Sequence, residues 1–111
     1  MFVKTIGGCM RPLIKIGDIV YIKEDYFDVS CGDIVLYEVD GQKFLHRIVK
    51  ENKDSYVVCD DVGITLPIKI RKNSVIGVYP TIMGGFVGLF YHRVVRSMFQ
   101  LLREVKHIKL I

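Results

Sequence analysis

A thiol, an imidazole and a carboxylate stand in separate segments of this sequence, at Cys9, His46 and Asp60. A nucleophile, a base that takes its proton and a group that orients the base are the parts needed for covalent catalysis. Asp61, directly after Asp60, is an alternative orienting group. A lone cysteine is more often a small buried hydrophobic residue, and a lone histidine in a strand is more often structural. The residue types alone therefore leave catalytic and structural roles open.

The elements that must position these residues are mostly β-strands. Runs rich in β-branched and aromatic residues alternate with turn signals, at 13–22, 33–39, 43–49, 55–59, 64–70 and 74–79. Asp40-Gly41 predicts a two-residue hairpin turn, which places His46 on the returning strand. We therefore predict a mainly β body over residues 1–83.

The hydrophobic spacing changes after Gly84-Gly85. Apolar residues then recur at three- and four-residue steps and predict an amphipathic helix in residues 84–111, namely Val87, Phe90, Val94, Met98, Leu101, Leu102 and Val105. The polar side of this helix is expected to hold Arg93, Arg96, Arg103 and Lys106, together with His92 and His107. We expect the apolar side to pack on or beside the β body and the basic side to face solvent. The alternatives are peripheral contact with an anionic membrane surface and docking to a partner.

The whole net charge of +4 lies in this tail. Its five basic residues exceed its one acid, Glu104, by four, so the first 83 residues sum to zero. A nucleic-acid-binding body is expected to be basic itself, and nucleic acid is therefore not an expected partner. The length of 111 residues, half of them hydrophobic, fits one globular domain.

The three cysteines are an odd set without a close pair, at Cys9, Cys31 and Cys59. This spacing argues against a disulfide framework and against a zinc site, and neither a metal nor a cofactor is expected. Residues 1–8 show no secretory signal. The uncharged run Val75–Tyr91 is interrupted by glycines and a proline, so we expect a strand there rather than a membrane span. These features favour a cytoplasmic protein, with attachment to the inner face of the membrane through the tail as the alternative.

Short motifs follow one another between residues 7 and 79. They are Gly-Gly-Cys-Met-Arg-Pro at 7–12, Gly-Asp at 17–18, Gly-Asp-Ile-Val at 32–35, Leu-His-Arg-Ile-Val at 45–49, Cys-Asp-Asp at 59–61 and Val-Ile-Gly-Val at 75–78. This succession resembles the type I signal peptidase and LexA-like peptidase superfamily. The order of that family is a Gly-x-Ser-Met-x-Pro box, a Gly-Asp turn, a Gly-Asp-Ile-Val strand, the strand of the general base, a Gly-Asp element and a Val-Ile-Gly strand.

The resemblance implies a body of coiled β-sheets and a peptidase that binds its substrate as an extended strand. It puts Cys9 at the position of the nucleophilic Ser and His46 at the position of the general base. A His there is similar to the archaeal and endoplasmic-reticulum branch, whereas bacterial signal peptidases have Lys. Asp60 matches the Asp that supports the His. The departures are Cys9 for Ser and Cys59 for Gly.

Neighbouring residues have supporting roles in this interpretation. Met10 is expected to fill a pocket beside the site, and Pro12 to fix the chain direction after the nucleophile. Arg47 is expected to steady Asp60 or Asp61, or to face solvent.

Cys9 then has three interpretations. It is a working nucleophile, an inert residue in a peptidase-fold module that binds a peptide or partner protein, or an engineered replacement of Ser. The first gives the leading hypothesis, a small endopeptidase that cleaves an extended peptide or leader segment through an acyl-enzyme. The sequence names neither the substrate nor the oligomeric state.

Overall fold

A computed structural model describes residues 1–5, 10, 14, 17–24, 29–62, 66–81 and 84–110, with side chains in the last segment as far as residue 102. Within these residues the elements are β1 (Phe2–Lys4), β2 (Ile19–Tyr21), β3 (Ile34–Val39), β4 (Gln42–Glu51), β5 (Ser55–Cys59), β6 (Ile68–Arg71), a 3-10 helix (Lys72–Ser74), β7 (Val75–Tyr79) and α1 (Gly85–Leu110). The predicted mainly β fold with a C-terminal helix is confirmed.

The main sheet is antiparallel, with strand order β6-β5-β4-β3-β7. Its centre is the β3–β4 hairpin, in which Val39 pairs with Gln42 across the predicted Asp40-Gly41 turn. The φ angles of Asp40 and Gly41 are both positive, at 52° and 78°, as a type I′ hairpin turn of two residues requires. β1 and β2 form a separate antiparallel ribbon, and Lys23 joins this ribbon to the sheet through backbone hydrogen bonds with Val78.

Two hydrophobic clusters lie on opposite faces of the sheet, as strand alternation dictates. One face holds Val35, Tyr37, Ile48, Tyr56, Val58, Ile70 and Val75. The other face packs against the β1–β2 ribbon and holds Met10, Ile14, Val20, Ile22, Ile34 and Leu36. The β3–β4 hairpin contributes to both clusters, so residues in the hairpin are held rigidly from either side.

The start of α1 is fixed against the turn before β3. The Gly85 backbone N–H donates to Asp33 Oδ1 at 2.7 Å, while Asp33 Oδ2 accepts from the Ser30 N–H at 3.0 Å. Gly32 has φ of 98°, and a Cβ at this position would overlap the carbonyl oxygen of Gly85. Only glycine at residue 32 therefore allows the helix to begin so close to the sheet.

The helix packs with a different face from the one predicted. Gly88, His92 and Val95 are buried, whereas Phe90 is 70% exposed and the other described apolar positions of the predicted face are exposed as well. The physical reason lies in the sheet, whose adjacent end contains buried charges that need polar partners. His92, which the pattern placed on the polar face, is one of these partners. No helix in the described part of the chain is both long and apolar enough to cross a membrane.

Candidate functional site

His46 lies in the middle of the sheet, on β4 opposite Val35 of β3. Its side chain is 8% exposed, and its Nδ1 atom is 2.7 Å from the hydroxyl oxygen of Tyr37. Tyr37 pairs with Phe44, and it is therefore the diagonal neighbour of His46 across the hairpin. The ring of Phe44 stacks on both the Tyr37 and His46 rings, with centroid distances of 5.5 and 6.1 Å. The imidazole therefore contacts the hydroxyl group of Tyr37, the Tyr37 ring at a centroid distance of 5.7 Å, and the Phe44 ring.

The pKa of His46 is lowered from the ordinary value of 6.5. Burial is the main cause because it disfavours the charged imidazolium, while the negative charges of Asp60 and Asp61 oppose the shift. At neutral pH the ring is therefore uncharged. A neutral imidazole has one nitrogen that can accept a proton, which is the form that a general base requires.

A cavity of about 550 Å³ lies beside His46. Its lining is mostly apolar. It consists of Met10, Ile14, Leu36, Val3 and Lys4 of β1 with the following Thr5, and Gln42, Lys43, Phe44, Leu45 and His46 of β4. β5 pairs with β4 only from Arg47 onward, and β1 pairs with β2. Within the described residues, the Gln42–His46 edge of β4 and the second edge of β1 thus have no strand partner. The cavity lies along these two strands, where an extended peptide has backbone groups to bind.

Two of the predicted site residues, Cys9 and Pro12, lie outside the described residues. Met10, which follows Cys9 directly in the sequence, is 3% exposed and lines the cavity. The Met10 carbonyl accepts a hydrogen bond from the Ile14 N–H at 2.9 Å. Met10, the described neighbour of Cys9, therefore lines the same cavity as His46. Met10 packs with Leu36 on one face of the sheet, whereas the His46 ring contacts Tyr37 of the other face.

Asp61 is bound to Arg47, and both side chains are fully buried. The Arg47 Nε and Nη2 atoms each donate to a different Asp61 oxygen at 3.0 Å, and Nη1 donates to the Gly32 carbonyl at 2.7 Å. His92 of α1 adds a contact of 2.7 Å between its Nδ1 and Asp61 Oδ1. Of the two alternatives predicted for Arg47, the contact with a carboxylate is correct and the solvent-facing one is wrong.

Asp60 is bound to Arg96 of α1. The Arg96 Nη1 atom donates to Asp60 Oδ1 and to the Asp60 carbonyl, each at 3.1 Å, and also lies 2.7 Å from Cys59 Sγ. Burial, which outweighs the opposing effect of Arg96, raises the pKa of Cys59 to about 11. The Cys59 thiol is therefore protonated and unreactive at neutral pH.

These contacts divide the predicted residues into two groups. His46 contacts Tyr37 beside the cavity, while the charged cluster (Arg47, Asp60, Asp61, His92 and Arg96) joins α1 to the sheet. The negative charges of Asp60 and Asp61 raise the pKa of His46, which partly opposes the effect of burial. In the described part of the chain, no group of three or more His, Cys, Asp or Glu side chains is arranged to hold a metal ion.

Comparison with curated proteins finds similarity to catalytic subunits of the signal peptidase complex. The subunit SEC11 of Candida albicans is 34% identical over 55 residues, which are 48% of this chain and 33% of that protein. The same subunit of Komagataella phaffii is 36% identical over 55 residues, covering 46% of this chain and 31% of that protein. The chain spans about a third of the length of these relatives. The similarity supports a signal-peptidase-like protein.

Other comparisons add nothing to this similarity. No model of a known protein family matches the chain, and no solved structure matches it.

Tyr37 was not predicted from the sequence as the partner of His46. A signal for it was present, because a two-residue turn at Asp40-Gly41 fixes the register of both strands. With Val39 opposite Gln42, Tyr37 falls opposite Phe44 and diagonal to His46. The roles of His92 and Arg96 had no such signal, because only the packed structure shows which side of α1 meets the sheet.

Proposed function

We propose that this chain is a small peptidase that cleaves an extended peptide or leader segment, with Cys9 as nucleophile and His46 as general base. The observation that supports the proposal most is the shared cavity, because both His46 and Met10, the neighbour of Cys9, line it. The buried, neutral imidazole of His46 is in the protonation state that a base needs.

The substrate would bind by adding a strand. An extended peptide between β1 and the Gln42–His46 edge of β4 can form backbone hydrogen bonds on both sides, which do not depend on its sequence. Its alternate side chains would enter the apolar cavity, so uncharged residues are expected beside the cleaved bond. The rival proposal, a module that binds a peptide in this groove without cutting it, uses the same contacts.

The chemistry would proceed in two steps. The Cys9 sulfur attacks the peptide carbonyl carbon while the Nε2 atom of His46 takes the thiol proton; that proton then passes to the leaving amine as the peptide bond breaks. A water molecule next attacks the thioester carbonyl carbon while His46 takes a proton from it. The carbon–sulfur bond then breaks, the peptide leaves with a new carboxyl group, and the proton passes from His46 to the Cys9 sulfur. The charges of Asp60 and Asp61 would stabilise the imidazolium that forms in each step.

Tyr37 would orient the base in this mechanism. If His46 Nδ1–H donates to the Tyr37 oxygen, Nε2 is the unprotonated nitrogen and can act as the base. We expect Tyr37→Phe to lower kcat/KM by about tenfold, the value of one lost hydrogen bond, and to mix the two neutral tautomers of His46. ¹⁵N NMR of the histidine ring measures the tautomers without a substrate.

The matched control for this variant is Tyr56→Phe. Tyr56 is buried in the hydrophobic cluster that also contains Tyr37, and the Tyr56→Phe substitution removes the same hydroxyl group. It should leave the His46 tautomer and kcat/KM unchanged. An unchanged tautomer in Tyr37→Phe would contradict the orienting role even if its activity fell.

Alkylation of Cys9 by iodoacetamide across pH tests the proposed function without a known substrate. A thiol close to His46 should react quickly well below pH 8, because transfer of its proton to His46 forms a thiolate–imidazolium pair. The positive charge of an imidazolium lowers the pKa of a neighbouring thiol from about 8.5. His46→Ala should remove this fast reaction. Mass spectrometry would follow each cysteine separately, so that Cys31 and the buried Cys59 serve as internal controls.

The opposite result would favour the rival proposal. If Cys9 reacts no faster than Cys31 and does not respond to His46→Ala, its thiol is not activated. The groove would then be assigned to binding without cleavage. A folded His46→Ala protein is required for either conclusion, and its circular dichroism spectrum provides that check.

A further inference from the structure

The outward side of α1 is an apolar surface with nothing packed on it in the described part of the chain. Phe86 is 88% exposed and Leu101 60% exposed, and the apolar face as a whole consists of Phe86, Val87, Phe90, Val94, Met98, Leu101 and Leu102. These residues follow helical spacing and extend about 24 Å along the axis, at 1.5 Å per residue. A continuous exposed apolar surface of this size usually marks an interaction site.

The position of this face is fixed by the charged cluster rather than by its own hydrophobicity. His92 contacts Asp61, and Arg96 contacts Asp60. Val95, which precedes Arg96 in the sequence, is also buried. The helix therefore cannot turn its apolar face onto the sheet without breaking the contacts of His92 and Arg96 with the buried carboxylates of Asp61 and Asp60. The fold holds that face toward the outside.

The charge around the apolar face is positive. The described helix residues 84–102 include no acid, and Arg93 is exposed beside the apolar residues. Beyond them the sequence adds Arg103, Lys106 and Lys109 against Glu104. The sequence of the helix therefore carries a net charge of +4 from five basic residues and one acid, and +3 when Arg96, which pairs with Asp60, is left out.

We propose that the apolar face of α1 docks the protein onto an anionic membrane surface, with the helix lying in the plane of the interface. Helices with large exposed apolar residues and flanking Arg and Lys insert that face among the lipid chains and place the charges at the headgroups. A second copy of this chain fits less well, since its helix would bring the same positive charges into contact. This inference does not depend on the proposed peptidase activity.

Co-sedimentation of the full chain with lipid vesicles tests the proposal. The protein should pellet with vesicles of mixed phosphatidylcholine and phosphatidylglycerol, should bind vesicles of phosphatidylcholine alone at least about tenfold more weakly, and should be released by salt. Equal binding to both vesicle types would overturn the proposal. So would a monomeric protein that binds neither.

Two pairs of variants locate the contact. Phe90→Glu should weaken binding by at least about tenfold, whereas Leu66→Glu, which changes an 81% exposed apolar residue outside the helix, should leave it unchanged. Arg93→Glu should weaken binding by about tenfold, whereas Lys50→Glu makes the same charge change on the exposed part of β4 and should alter it less than twofold. Similar effects within either pair would overturn the assignment to α1.

Size-exclusion chromatography with light scattering completes the test. The full chain should be a monomer without vesicles, and Phe90→Glu should not change its mass. A dimer that dissociates in Phe90→Glu, together with no vesicle binding, would assign the face to a second copy and overturn the proposal.

Discussion

Replacing His46 with Ala is expected to lower peptide cleavage by about 10²–10⁴-fold, the usual contribution of a general base. The effect should appear in kcat, because a base acts in the transition state and contributes little to substrate binding. Cleavage of a mixed peptide library, followed by mass spectrometry, measures the loss without a preselected substrate. His46→Gln should lose a similar factor, since an amide can contact Tyr37 but cannot accept the thiol proton.

The control for this prediction is Phe44→Leu. It removes the ring stacked on His46 but leaves the base and its hydrogen bond to Tyr37 in place. Its activity should therefore stay within about tenfold of the unmodified protein. If His46→Ala and His46→Gln cleave as fast as Phe44→Leu while all three are folded, His46 is not the base.

The pH dependence of kcat/KM tests the protonation state of His46. The base must be uncharged, so kcat/KM should fall as acid protonates it. Because burial lowers the pKa of His46, this fall should come below pH 6.5, at a more acidic pH than for an exposed histidine. A fall centred above pH 6.5 would show that the charges of Asp60 and Asp61 outweigh burial, or that another group titrates.

The main sheet was largely predictable because its signals are local. Four strands were predicted with small differences at their ends. The Asp40-Gly41 turn and the alternation around it predicted β3 and β4, and the runs at 55–59 and 74–79 predicted β5 and β7. β1 has only three residues, and it exists because β2 pairs with it. No pattern within three residues signals such a strand, so β1 was not predicted from the sequence. The start of the run at 64–70 lies outside the described residues.

The helix shows where hydrophobic spacing alone fails. Its period was predicted correctly, but the face that packs was predicted wrongly. The exposed face holds more of the large apolar residues, yet the end of the sheet contains buried Asp60 and Asp61. An unpaired buried carboxylate costs more free energy than an exposed Leu or Phe, so His92 and Arg96 take the inner side. The choice depends on charges that meet only after the sheet has formed.

For the candidate site, residue types were easier to predict than partners. Placing His46 on a returning strand needed only the hairpin. The assignment of Asp60 as its orienting group rested on the family resemblance. In the structure His46 contacts Tyr37, and Asp60 contacts Arg96. The structural reason is that Asp60 follows the last residue of β5, next to α1, where Arg96 neutralises it.

Arg47→Met is expected to have the largest effect on stability. Arg47 is fully buried and donates to Asp61 and to the Gly32 carbonyl, so its removal leaves a buried carboxylate with reduced compensation. Breaking one side of a buried ion pair costs about 3–5 kcal/mol, against about 5–15 kcal/mol of total stability for a domain of this kind. Urea unfolding followed by circular dichroism measures the change.

The matched control for Arg47→Met is Lys72→Met, which breaks the solvent-exposed pair of Lys72 with Glu51. Water and salt screen that pair, so the urea midpoint should hardly change. The double variant Arg47→Met/Asp61→Leu removes both buried charges and should recover part of the loss, because no carboxylate is then left without its arginine. If Arg47→Met unfolds at the same urea concentration as Lys72→Met, the charged cluster does not stabilise the contact between α1 and the sheet, and the outward position of the apolar face must have another cause.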